Sequence, residues 1–149
     1  MKRISLSCKL ILVAGVLLGT GWQSVMADTT LLPSVRHQGD VTWLSGGVGE
    51  DESKAIMQAI PGYPLVIEFL GKTQYGNEYL ANIPIRIEDS HGKIILNTLS
   101  DGPFLLAKLP TGRYTASATY SGETEHRTFN LTQEGNVREV FQWKMDNKE

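Results

Sequence analysis

The segment Gly46-Gly-Val-Gly49, followed at once by Glu50, Asp51 and Glu52, is where residue type and spacing first suggest chemistry. Glycines ahead of a helix expose backbone amides that bind anions, the principle of phosphate loops. Three carboxylates stand where the phosphate would go, however, and the Lys-Ser/Thr ending of a P-loop and the third glycine of a dinucleotide fold are both missing. Acidic residues in a first helical turn complement the helix dipole, so the segment is expected to be a turn and a helix start. If it does more, it serves as a partner-binding loop or a weak cation site. The candidate residues are then Trp43, Gly46, Gly47, Gly49, Glu50 and Asp51.

Other reactive side chains are scattered. His37, His91 and His126 have no histidine or cysteine at metal-ligand spacing nearby. No Gly-x-Ser-x-Gly elbow supports a serine triad. Trp43, Trp143, Tyr63, Tyr75, Tyr79, Tyr114 and Tyr120 could stack on a sugar, but most of them alternate in register with core positions. Asn130-Leu-Thr132 matches a glycosylation sequon that would be idle in a bacterial periplasm. No catalytic, metal-binding or cofactor-binding residue is assigned, and no cofactor is expected.

The elements that must position these residues follow from periodicity. Residues 28–40 are polar and mixed, with Pro33, and read as a flexible lead-in without a regular element. In 41–62, a short strand-like run, Val41 to Ser45, leads through the glycines to a helix, Glu50 to Ile60, ended by Pro61-Gly62. Ile56, Ala59 and Ile60 form its apolar stripe, expected to cover a sheet edge. From residue 63 to 144 the spacing changes to alternation. Tyr63, Leu65, Ile67 and Phe69 share one face, as do Ile83, Ile85 and Ile87, then Tyr114, Ala116, Ala118 and Tyr120, then Val137, Phe141 and Trp143. Gly71 to Glu78 reads as a polar loop, and Pro84 places its strand at a sheet edge or beside a bulge. About seven antiparallel strands result, enough for an all-β, two-sheet sandwich with one short N-terminal helix. Residues 145–149 form a tail.

The first 27 residues have the three parts of a secretory signal: Lys2 and Arg3, the apolar run Leu10 to Leu18, and small residues around Val25-Met-Ala27. Cleavage is expected between Ala27 and Asp28. Gly19, Gly21 and Gln23 interrupt the apolar run before the roughly 18 residues that a span requires, so no transmembrane segment is expected after cleavage. Cys8 precedes the run and is the sole cysteine, which argues against a lipoprotein anchor and leaves the mature domain without disulfides. The signal also carries three of the 14 Lys and Arg and none of the 16 Asp and Glu, leaving 11 against 16, or about −5. Without a basic stripe, nucleic acid is disfavoured as a partner. An exported domain with no cysteine staple suits a bacterial periplasm.

The stretch Phe104-x-Leu106-x-x-Leu109-Pro110-x-Gly112-x-Tyr114-x-Ala116-x-Ala118, with Gly122 closing a hairpin, resembles the carboxypeptidase regulatory-like domain, a prealbumin-like (transthyretin-like) sandwich. Upstream, Ala81-Asn-Ile-Pro-Ile-Arg-Ile-Glu-Asp-Ser-His-Gly-Lys93 is similar to that family's opening element. The likeness covers roughly Tyr63 to Trp143 and is specific for fold. It implies a non-catalytic accessory role, and the matching positions are structural ones. A related hydrolase of 5-hydroxyisourate ends in Tyr-Arg-Gly-Ser; this chain ends Phe141-Gln-Trp-Lys-Met-Asp-Asn-Lys-Glu149, which argues against that activity. The expectation is a non-catalytic periplasmic module that binds a protein or envelope component or serves structurally. A ligand- or carbohydrate-binding protein, or a small hydrolase, using residues 43–52 is the alternative. An exposed sheet edge could also serve protease inhibition or chaperoning, with Pro84 as the hint.

Overall fold

The computed structural model describes residues 31–145; the expected signal, its Ala27–Asp28 cleavage point and residues 146–149 lie outside them. The described residues form an all-β sandwich with one short helix. The chain runs through β1 (Arg36–Gln38), β2 (Val41–Gly46), α1 (Glu50–Ala59), a 3-10 turn (Ile60–Gly62), β3 (Leu65–Thr73) and β4 (Gly76–Tyr79). It continues through β5 (Pro84–Asp89), β6 (Ile94–Leu99), β7 (Phe104–Lys108), β8 (Gly112–Tyr120), β9 (Glu123–Leu131) and β10 (Val137–Lys144). The larger sheet has the order β1-β2-β7-β3-β10, with β4 also on β3; the smaller is β6-β5-β8-β9. No helix among the described residues is long and apolar enough to cross a membrane.

Strand β3 organises the larger sheet. Its sequence, Leu-Val-Ile-Glu-Phe-Leu, is nearly continuously apolar, the pattern of a strand buried on both faces. Leu65, Ile67 and Phe69, with Phe141 of β10, face the smaller sheet, where Ile85, Ile87, Leu96, Ala116 and Ala118 complete the main core. Val66 faces the opposite way and joins Leu44, Phe104, Leu106 and Ile56 in a second core beneath α1. One margin of β3 is shared: Leu65–Glu68 pair with β7 and Leu70–Thr73 pair with β4. The other margin holds β10 in parallel, from Val137 opposite Leu65 to Lys144 opposite Lys72.

Several expectations are corrected. Ten strands replace about seven: the strand-like run from Val41 is a full strand, β2, β1 lies inside the supposed lead-in, and β4 overlaps the end of the supposed loop Gly71 to Glu78. The pairing is antiparallel except for β3 with β10. The helix covers the outer face of the larger sheet, not an edge: its buried side chain, Ile56, points onto β2, β3 and β7. Tyr63 belongs to this second core and so does not share a face with Leu65. Pro84 opens β5, an interior strand between β6 and β8, and the bulge lies at the other end, at Ile87/Glu88. A proline is tolerated there as the first residue of the strand. The edge-based hint for protease inhibition therefore disappears.

Side chains lace both corners of the sandwich. At one, Arg127 Nε donates to Val140 O at 3.2 Å and Trp143 Nε1 to Glu123 O at 3.1 Å, tying β9 to β10. At the other, Asn97 N–H donates to Gln38 Oε1 at 3.2 Å, tying β6 to β1. Tyr114 Oη donates to Pro110 O, four residues upstream, at 2.7 Å, which locks the turn into β8 as a tyrosine corner does in other sandwiches. Burial pushes the Tyr114 phenol above its usual range, and the Asp89 carboxylate adds to the shift.

Candidate functional site

The glycine segment is a connector from the end of β2, under the second core, to the start of α1 on its surface. Gly47 has φ +99°, and a Cβ there would sit 2.5 Å from Phe104 Cδ2, so only glycine lets the chain turn over this ring. A Cβ on Gly102 would likewise collide with the Gly46 backbone. The turn thus brings the Gly47 and Val48 amides together at the N-terminal end of α1. Glu52 fills that position: its Oε1 accepts the Gly47 N–H at 2.6 Å and lies 3.4 Å from Val48 N. The carboxylate occupies the place that the phosphate reading gives to a ligand.

Ser53 completes the clasp, its hydroxyl donating to Gly47 O at 2.7 Å and its amide to Gly49 O at 3.1 Å. Glu50 pairs with Lys54 at 2.6 Å on the exposed side of the helix, and Asp51 faces solvent. Glu52→Ala strips the acceptor from a partly buried amide and is expected to lower stability by about 1–2 kcal/mol. Glu52→Gln, which keeps an acceptor oxygen, should lose less than half as much. Losses below about 0.5 kcal/mol in denaturant unfolding of both variants would show that the clasp contributes nothing.

The fastened loop holds Val48 out at its tip, 63% exposed. On one side lies an open cleft of about 520 Å³ against Leu31 to Ser34. On the other is one of about 400 Å³ against Tyr79, Leu80, Ala81 and Pro103. Of the proposed loop residues, Gly46, Gly47, Gly49, Glu50 and Asp51 cluster here. Trp43 does not: it points between the two sheets, 4% exposed, with Arg36 over its ring. The aromatic platform disperses in the same way. Trp143, Tyr63 and Tyr114 are buried, while Tyr75, just before β4, and Tyr79, at its end, are exposed.

The structure also makes pairings that were not read from sequence. Ser117 Oγ and His126 Nδ1 meet at 2.9 Å on the outer face of the smaller sheet, in one cross-strand row with Arg86 and Asn97. The two-residue turn Ser121-Gly122 was the available signal, since it sets Tyr120 opposite Glu123 and hence Ser117 opposite His126. The ion pair of Arg138 with the nearly buried Glu68, at 2.6 Å, had no local signal, because it depends on parallel pairing of distant strands. Buried Ser45 and Ser100 are engaged by the backbone, at Phe104 O and Asp101 N for the first and at Ile83 N for the second. His37, His91 and His126 lie on separate elements, and no group of three or more metal-ligating side chains occurs among the described residues. The backbone amide of Lys93, chiefly, and that of His91 hold the Asp89 carboxyl below its usual range, as expected for an acid closing the β5–β6 turn. In comparison with known proteins, the chain matches no family model and no curated sequence.

Proposed function

We propose that this chain is an exported, periplasmic binding or structural module without catalytic chemistry of its own, which docks a protein or envelope component through the Gly46–Asp51 loop. The observation that carries this reading is the internal clasp. Glu52 and Ser53 consume the groups that would otherwise hold a small anion, and the result is a fixed turn presenting an apolar tip between two clefts. An exposed apolar residue on a shaped loop is suited to a partner surface. Export rests on the three-part signal in residues 1–27. The likeness to carboxypeptidase regulatory-like domains is supported by its two matching stretches, which fold as neighbouring strand-and-turn units of one sandwich.

The test is affinity capture from a periplasmic extract with the native protein and with Val48→Asp, whose exposed position leaves the fold intact. A species retained by the native protein should fall by about tenfold or more with the variant, corresponding to roughly 1.4 kcal/mol. Equal retention by both removes the loop from the interaction. Turnover of an ester, peptide or glycoside by the purified protein overturns the non-catalytic reading. Recovery of a processed chain beginning at Asp28 in the periplasmic fraction is the corresponding result for export.

A further inference from the structure

Strand margins left without a neighbour are templates for pairing with another chain, and proteins guard them with charge, brevity or cover. Most margins of this sandwich are guarded. β1 has three residues, Arg36 and His37 among them, and β4 has four, including Glu78. β9 carries Glu123, Glu125 and Arg127 and is tied to β10, which itself carries Arg138, Glu139 and Lys144. β6 differs. Its six residues, Ile94-Ile-Leu-Asn-Thr-Leu99, include no charge and no proline, and Ile94 and Leu99 are 45% and 47% exposed. The bulge opposite Ile87/Glu88 twists its first residues and leaves Leu96–Leu99 regular. The Asn97 N–H points away from β5, and the oxygen it meets belongs to the Gln38 side chain, standing where a neighbouring strand's carbonyl would be.

We propose that β6 is a self-association edge: a second copy of this chain pairs with it antiparallel about a twofold axis at Asn97, displacing the Gln38 amide. The sequence is self-complementary about that residue. In this register Ile95 falls opposite Leu99, Leu96 opposite Thr98, and Asn97 opposite its twin. Because the Asn97 amide points outward, the central pair is of the type in which two residues exchange both N–H···O bonds. Neighbouring registers lose this match. An axis at Thr98 sets Asn97 against Leu99, and an axis at Leu96 sets Asn97 against Ile95. A foreign extended peptide would not require a strand that reads alike in both directions, so a second copy is the occupant favoured. The product is one continuous sheet formed from two four-stranded sheets. It is independent of the Val48 loop, which lies on the other sheet.

Light scattering on the purified protein tests this at concentrations up to about 200 μM, a range that detects micromolar dimers. The native protein is expected to show twice the chain mass. Asn97→Lys, which sets two ammonium groups face to face, should raise the dimer dissociation constant by about tenfold or more. Gln38→Ala, which removes the competing oxygen, should lower it. For the register, Asn97→Cys in a Cys8→Ser background should oxidise to a covalent dimer, since the central Cα atoms would be about 5.5 Å apart. Leu99→Cys, four residues from its own twin in this register, should not. Circular dichroism checks that each variant keeps the fold. A native protein that is monomeric throughout the range overturns the proposal, as does a dimer insensitive to Asn97→Lys or equal cross-linking at positions 97 and 99.

Discussion

Trp143→Ala is expected to lower the unfolding free energy by about 4 kcal/mol, the largest effect of any single truncation considered for this chain. The indole is almost wholly buried, with ring centroids 6.1 Å from Phe141 and 5.8 Å from Tyr120. Its removal leaves a cavity between the sheets and takes away the indole N–H that meets the Glu123 carbonyl at the β9–β10 corner. Both losses fall at a place where no backbone ladder joins the two strands, so side chains carry the closure. Trp143→Phe separates the contributions: it keeps most of the apolar contact and loses the N–H bond, which should cost about 1 kcal/mol from that source. Chemical denaturation read by fluorescence and circular dichroism gives both values. A loss below about 1.5 kcal/mol for the alanine variant would show that this corner does not hold the sandwich closed.

Ile56→Ala is expected to lower stability by about 3 kcal/mol, and to do so locally. Ile56 is the buried residue of α1, seated among Leu44, Val66, Phe104 and Leu106. A ten-residue helix has little stability of its own in water and persists because it is packed. Its Glu50–Lys54 pair is exposed and contributes at most a few tenths of a kcal/mol. Hydrogen exchange should therefore show the amides of α1 losing protection while β5, β8 and β9 retain theirs. Uniform loss across both sheets would mean that the second core is part of the global folding unit.

Where alternation was clean, the sequence was a faithful guide. Ile85 and Ile87 occupy the inner face of β5, with Ile83 buried just before it, and Ala116 and Ala118 that of β8, because each of these strands has one wet face. It was less informative where a strand is buried on both sides. The run from Leu65 to Leu70 has too little polarity for period-two reading to reveal that Val66 serves a second core. That second core, not an edge, is what the helix covers. β1 and β4 were missed because Arg-His-Gln and Gly-Asn-Glu-Tyr have weak strand propensity and are strands through pairing with β2 and β3.

The candidate loop shows the same division. Glycine positions and a helix start were legible from residue type. The occupant of the turn was not, since Glu50, Asp51 and Glu52 are equivalent in sequence. Helical geometry selects the one that reaches back to the Gly47 amide. Trp43 is near the loop in sequence, yet strand alternation turns it toward the other sheet.

The parallel seam between β3 and β10 also sets an order of events. Residues 65–72 wait for partners more than seventy positions later, so the larger sheet cannot be finished until nearly the whole chain is present. Until then one whole margin of β3 stays open. Docking of β10 beside β3 is then the step that completes the larger sheet.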